Sequence, residues 1–228
     1  MGTTVCLIHG NWHDGASWTP LVARLEARGY AVVAPNLPFD DPDATYQQRA
    51  QPALDAVEGT ADPVVIVGHS VGSAEAALVA SQRPTRLLVY LCPRFGSFPV
   101  PADAPSVFRD GFPFPAKDAE GRFVWQPEDA IAAMYPRLPQ ETASELASRL
   151  RPGAFAAGEY PLTTHPACPT ALIYTSEDEF FNPEWERFVA RQVLGVEPIE
   201  LPGGHFPMQE HPDTLADALD HLINESSG

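Results

Sequence analysis

Lysine is almost absent from this sequence of 228 residues, in which the 14 basic residues include a single lysine, Lys117. Chemistry that depends on a lysine amine therefore has one candidate. The 30 acidic residues give a formal net charge of -16 at pH 7. Negative charge of this size repels nucleic-acid phosphates and anionic lipid headgroups. We therefore expect neither a nucleic acid nor a membrane as a partner.

Cysteines and long apolar runs are also scarce. Cys6, Cys92 and Cys168 are odd in number and have no metal-ligand spacing, which favours a reducing compartment over a disulfide framework. No run approaches the ~18 apolar residues of a membrane span. The first ten residues lack the basic and apolar segments of a signal peptide. These absences predict a cytoplasmic protein.

Hydrophobic residues make up 44% of the chain, enough for one large domain. Continuous apolar runs alternate with segments of helical periodicity, which is typical of a parallel sheet covered on both faces. The predicted strands are 3–8, 30–34, 64–67, 86–92, 170–175 and 196–201, and the predicted helices are 17–28, 45–58, 72–82, 183–194 and 212–224. The fold class is therefore α/β.

One segment, residues 94–166, breaks this alternation. It is rich in proline and aromatic residues and has helical patterns at 127–135 and 139–150, with no obvious strand. We predict a mostly helical cap inserted into a core formed by residues 1–93 and 167–228. The many cap phenylalanines, with Trp125 and Tyr135, favour a substrate with an apolar part.

A serine stands between two glycines where a predicted strand meets a predicted helix, in Gly68-His69-Ser70-Val71-Gly72. A nucleophilic serine on so tight a turn needs small residues two positions before and two after it. The pattern predicts Ser70 as a nucleophile, and the alternative is a glycine-rich turn in which Ser70 caps the helix.

A serine hydroxyl needs a base, and the base needs an anion to orient it. His205 follows the last predicted strand and is the predicted base. The preceding strand ends in Glu177-Asp178-Glu179, of which Asp178 is the preferred acid and the two glutamates are the alternatives.

Two backbone N–H groups are predicted to hold an oxyanion, those of Val71 and Asn11, with Trp12 as second choice to Asn11. The run from His9 to His13 and Asp14 does not match a metal-binding helix, so no metal is expected. We predict Trp12, His13 and Phe206 as substrate-binding residues.

Four stretches resemble one family: CLIHGNWHDGASW, VVIVGHSVGS, YTSEDEFFNPEW and LPGGHFPMQEHP. They are similar to the α/β-hydrolase superfamily, in particular the small esterase subgroup of plant methylesterases and hydroxynitrile lyases with its bacterial relatives. The similarity covers residues 1–92 and 169–224. It implies a three-layer fold with a mostly parallel six-stranded sheet, a helical cap and a triad of Ser70, Asp178 and His205.

Two positions separate the chemistries of that subgroup. The lyases it contains have a lysine beside the catalytic histidine and a threonine after the first-loop histidine, whereas this chain has Phe206 and Gly10. Both differences favour hydrolysis. We predict a cofactor-free serine hydrolase of a small, partly apolar ester or lactone, with a homodimer left open. The alternatives are a lyase or a cofactor-free dioxygenase of the same fold, and a non-catalytic binding protein.

Overall fold

The structure of the protein is a computed structural model, and it describes residues 2–60, 63–94, 98 and 100–226. The strands are β1 Thr4–Ile8, β2 Ala31–Val33, β3 Val64–His69, β4 Thr85–Leu91, β5 Ala116–Lys117, β6 Phe123–Val124, β7 Thr170–Thr175 and β8 Ile199–Leu201. The helices are α1 Thr19–Ala27, α2 Tyr46–Ala56, α3 Ser73–Gln82, α4 Pro127–Met134, α5 Gln140–Ser148, α6 Pro183–Val189, α7 Pro207–Glu210 and α8 Pro212–Glu225.

Six strands form one parallel sheet in the order β2-β1-β3-β4-β7-β8, which confirms the predicted fold class. The two central pairings place Val65 of β3 beside Val5 of β1 and Leu87 of β4. Because every pair is parallel, the carboxyl ends of all six strands lie at one edge of the sheet. Any residues that follow these strands directly are therefore brought to that edge.

Apolar side chains cover both faces of the sheet, which explains why its strands are continuous apolar runs. Successive residues of β3 point to opposite sides, so Val65 packs in the cluster that contains α1 and α8 and Ile66 in the cluster that contains α2 and α3. Every residue of β3 is buried. This central strand, which leads to Ser70, is thus held rigidly from both faces.

The first helix begins at Thr19, two residues after the predicted start at residue 17. A 3-10 turn over Gly15–Trp18 comes first, and the Asp14 carboxylate caps that turn by accepting a hydrogen bond from the backbone N–H of Ala16 at 2.9 Å. Ser17 lies inside the turn and donates its hydroxyl to the backbone oxygen of Asp14. An aspartate three residues upstream competes successfully because its side chain reaches the same free N–H groups.

The inserted segment contains the two predicted helices, α4 and α5, together with a feature that was not expected. The prediction that it holds no strand is wrong, because β5 and β6 pair as an antiparallel hairpin. Asp118 closes its turn by accepting from two backbone N–H groups, and Gly121 has a φ of 80°. Strands of two residues are too short to show a period of two, so the pattern could not reveal them. Much of the segment is loop, so it is less helical than predicted.

Candidate active site

Ser70 stands at the sharp turn between β3 and α3, with a left-handed φ of 55°. The two flanking glycines make this turn possible, because neighbouring atoms lie too close to these positions for a side chain to fit. A Cβ on Gly68 would lie 2.5 Å from the Cβ of Ala76, and one on Gly72 would lie 2.3 Å from the backbone oxygen of His9. A non-glycine residue in this strained conformation indicates a functional constraint. Ser70 itself lines a cleft at the carboxyl edge of the sheet.

Asp178 and His205, which follow β7 and β8, meet at the same edge. The Nδ1–H of His205 donates to Oδ2 of Asp178 at 2.7 Å, and both side chains are buried. The other carboxylate oxygen, Oδ1, accepts from the backbone N–H groups of Phe180 at 2.7 Å and Phe181 at 2.8 Å. The imidazole is thus fixed in one tautomer, with Nε2 left as the acceptor nitrogen.

The two neighbouring glutamates are held differently from Asp178. Glu179 pairs with Arg137 and accepts a hydrogen bond from the backbone N–H of His205 at 3.0 Å. Glu177 is exposed and lies 3.5 Å from the guanidinium of Arg137. Of the three acidic residues in this loop, Asp178 is therefore the one whose carboxylate contacts the His205 ring.

Cys92, at the end of β4, lies behind this pair. Its Sγ, an oxygen of Asp178 and a nitrogen of His205 lie within 4.8 Å of one another. Burial and the nearby Asp178 charge raise the pKa of the Cys92 thiol well above its usual value. A protonated thiol is a poor metal ligand, and the aspartate and histidine are already bonded to each other. The cluster therefore does not fit a metal ion.

His13 and Phe206 lie beside His205 and not on the cleft wall. The ring centroids of His13 and Phe206 are 4.6 Å apart. The Nδ1–H of His13 donates to the backbone oxygen of Asn11, and its Nε2 accepts from the Tyr135 hydroxyl at 2.5 Å. Burial lowers the pKa of His13 to about 4. Both ring nitrogens are occupied, so the geometry does not favour the predicted role of His13 in substrate binding.

The first loop brings the other predicted residues to the cleft. Asn11, Trp12 and Val71 line it together with Ser70. A Cβ on Gly10 would lie 2.9 Å from the Cβ of Ser70, so the loop passes directly over the serine. The residues predicted to supply oxyanion donors thus share one cavity with the predicted nucleophile, and the donor role of their N–H groups stays a prediction.

The cleft has an aromatic wall on the side of His205. Phe180 stacks on the imidazole of His205 with centroids 4.5 Å apart, and Phe181 meets it edge-on at 4.9 Å. Further phenylalanines that line the cleft come from the inserted segment and are Phe108, Phe112, Phe114, Phe123 and Phe155. Such a surface suits an aryl or alkyl group.

Three lining residues were missed by sequence reasoning. Phe180 and Phe181 directly follow the acidic loop, so the aromatic pair after Glu179 was an available signal. Arg94 lies three residues beyond β4, and nothing in the sequence distinguishes it from a surface arginine. His69, inside the turn, packs with its ring centroid 4.7 Å from that of His205.

The geometry of fold and site agrees with one family. The sequence model of the alpha/beta hydrolase family matches residues 7–218, and the chain belongs to this family. Among curated proteins, it is 32% identical to a pyrethroid hydrolase of Sphingobium wenxiniae over 98 residues, which are 39% of this chain and 35% of that one. It is 30% identical to Methylesterase 3 of Arabidopsis thaliana over 95 residues, 37% of this chain and 36% of that one. The match thus spans about a third of the length of these relatives.

Solved structures resemble the whole fold. A pyrethroid hydrolase from Sphingobium faniae JZ-2 superposes with a TM-score of 0.81 at 22% identity, covering 98% of both chains. A methylesterase from Arabidopsis gives a TM-score of 0.77 at 16% identity, covering 98% of this chain and 99% of that one. At such identities the likeness establishes the fold. Within the described residues, no helix has both the length and the apolar character needed to cross a membrane.

Proposed function

We propose that the protein is a serine hydrolase that cleaves a carboxylic ester or lactone of a small, partly apolar molecule. The observation that carries this proposal is the buried hydrogen bond between His205 and Asp178, at the sheet edge where Ser70 follows β3. The names of the relatives, a pyrethroid hydrolase and a methylesterase, agree with ester cleavage. Small-molecule esters are then the expected partners, and no cofactor is required.

In the proposed reaction, His205 Nε2 takes the proton of the Ser70 hydroxyl as the oxygen attacks the ester carbonyl. The backbone N–H groups of Val71 and Asn11 donate to the resulting oxyanion. His205 then returns the proton to the departing alcohol, which leaves an acyl group on Ser70. Water activated by His205 releases the acid, and Asp178 stabilises the imidazolium throughout.

Covalent labelling tests the nucleophile. A fluorophosphonate should add to the wild-type protein, and mass spectrometry of the digest should place the added mass on Ser70. A panel of 4-nitrophenyl, aryl and lactone esters then measures turnover. Ser70→Ala should lose on the order of 10⁴- to 10⁶-fold in kcat.

Ser73→Ala is the matched control, because Ser73 is also buried and its hydroxyl donates to the backbone oxygen of Gly68. It should keep turnover and labelling. Less than a tenfold loss in Ser70→Ala would refute the nucleophile assignment. Cyanohydrin cleavage, or oxygen consumption that survives Ser70→Ala, would replace hydrolysis by a lyase or a dioxygenase activity.

A further inference from the structure

A second, smaller pocket adjoins the aromatic cleft, and we call it the polar chamber. Val71, Arg94 and Phe155 line both spaces, so the two adjoin at the residue next to Ser70. The chamber is further lined by Arg49 and Glu75, which are both buried. The cleft therefore has an aromatic end on the His205 side and a polar end on the Val71 side.

Arg94 stands where the two spaces meet. Its guanidinium carbon lies 4.9 Å from the centroid of Phe155. In the part of the chain that the structure describes, no carboxylate forms an ion pair with it. No nitrogen of Arg94 is both buried and unpaired among these residues, so its donors are accessible to solvent or to a ligand.

Arg49 and Glu75 are the buried ionisable residues of the chamber, which Tyr46 also lines. Burial raises the pKa of Glu75 to about 8, which favours its neutral form. Its Oε2 and the Nε of Arg49 are buried and have no hydrogen-bond partner among the described residues. The remaining Arg49 nitrogens donate to the backbone oxygens of Ala154 and Asp41. Among the described residues that line the chamber, two are arginines, and the single carboxyl group is one whose neutral form is favoured by burial.

Local charge outweighs the overall charge of the protein at this place. The net charge of -16 is spread over a surface on which salt screens interactions beyond about 8 Å at physiological ionic strength. A ligand group inside the chamber is much closer than this to Arg94, with little water between them. An anion is thus favoured in the chamber even though the protein as a whole is acidic.

Given the proposed function, the two ends of the cleft determine the orientation in which an ester substrate binds. His205 must protonate the departing alcohol, so the alcohol lies on the Phe180 side of Ser70. The acyl chain then points toward Val71 and the polar chamber. We infer that the preferred substrates are esters of an apolar or aryl alcohol whose acyl chain ends in a carboxylate, and that Arg94 binds this carboxylate.

Matched ester pairs test this inference, which rests on the proposed function. The anionic substrates are the 4-nitrophenyl monoesters of glutarate and adipate, and the neutral ones are 4-nitrophenyl pentanoate and hexanoate. Arg94→Gln removes the charge-assisted hydrogen bonds between the guanidinium and the substrate carboxylate. It should therefore lower kcat/KM for the better anionic ester on the order of 10- to 100-fold. The neutral esters should change less than about threefold, and Arg94→Lys should recover part of the loss.

Arg191→Gln is the control, because it removes the same charge from a surface arginine paired with Glu197. It should leave both ester classes as in the wild type. The inference is overturned when Arg94→Gln lowers turnover of anionic and neutral esters by the same factor, or changes neither. Melting temperatures of the variants identify any loss that reflects unfolding.

Binding of uncleaved amides tests the role of Arg94 independently of the proposed hydrolysis. The monoanilide of glutaric acid and the neutral pentananilide resist cleavage, so calorimetry can measure their dissociation constants with the wild-type protein. The wild type should bind the anionic anilide at least about tenfold tighter, and Arg94→Gln should remove this preference. Equal binding of the two anilides by the wild type would overturn the role of Arg94. Absence of hydrolysis with an intact anilide preference would overturn only the proposed function.

Discussion

Replacing Asp178 by asparagine keeps the shape of the site but removes the negative charge beside His205. The substitution therefore tests how far that charge, and the histidine tautomer it selects, contribute to catalysis. The amide oxygen of Asn can still accept from the backbone N–H groups of Phe180 and Phe181, which lie 2.7 and 2.8 Å from Oδ1 in the wild type. The amide nitrogen then faces Nδ1 of His205, whose N–H donates to Oδ2 of Asp178 at 2.7 Å in the wild type. Two donors cannot share one hydrogen bond, so the histidine proton moves to Nε2.

A proton on Nε2 blocks the nitrogen that must receive the proton of Ser70. The imidazolium that forms in the transition state also loses its buried counter-ion. Together these effects should lower kcat by about 10³- to 10⁴-fold, which corresponds to roughly 4 to 5.5 kcal/mol of activation free energy. The free energy of unfolding should change by less than about 2 kcal/mol, because the hydrogen bonds that the backbone N–H groups of Phe180 and Phe181 donate to the side-chain oxygen survive.

Steady-state turnover of a 4-nitrophenyl ester, with urea unfolding of each variant, measures both quantities. Glu177→Gln and Glu179→Gln serve as controls, because each makes the same chemical change one residue away in the same loop. Glu177 is exposed and its variant should keep wild-type turnover, while Glu179→Gln, which retains an acceptor for the His205 N–H, should lose less than about tenfold. The reasoning is refuted if Asp178→Asn keeps more than a tenth of wild-type kcat, or if Glu179→Gln loses as much.

Two further predictions concern stability. Burial raises the pKa of Glu75 to about 8, so the folded protein keeps a proton that the unfolded chain releases above about pH 4.5. The free energy of unfolding should therefore fall as pH rises from about 4.5 to 8, by at most about 5 kcal/mol at pH 8. Glu75→Gln should flatten the urea-unfolding free energy between pH 5 and 8, and an unchanged slope would contradict the prediction. Tyr135→Phe should destabilise the protein by about 1 to 3 kcal/mol, because the buried Nε2 of His13 loses its donor; a melting temperature equal to that of the wild type would show this hydrogen bond to be dispensable.

The order and type of the core elements were predictable because they depend on local periodicity. The apolar run of β3 and the helical spacing of α3 can be recognised without knowledge of their partners, and the glycines around Ser70 are required by a turn of five residues. Short elements gave no such signal. The two-residue strands β5 and β6 exist because Asp118 and Gly121 close a turn and the neighbouring chain holds it in place.

The sequence alone determined the parallel sheet, the strained turn at Ser70, and the position of Asp178 and His205 after neighbouring strands, since these features follow from backbone geometry within a few residues. Only the tertiary structure decided which carboxylate of the acidic loop contacts His205 and that the Tyr135 hydroxyl donates to His13. It also decided that Arg94, which has no ion-pair partner among the described residues, stands between an aromatic cleft and a polar chamber. These outcomes depend on side chains that are far apart in the chain. Their burial, partners and charges exist only after the inserted segment has packed over the edge of the sheet.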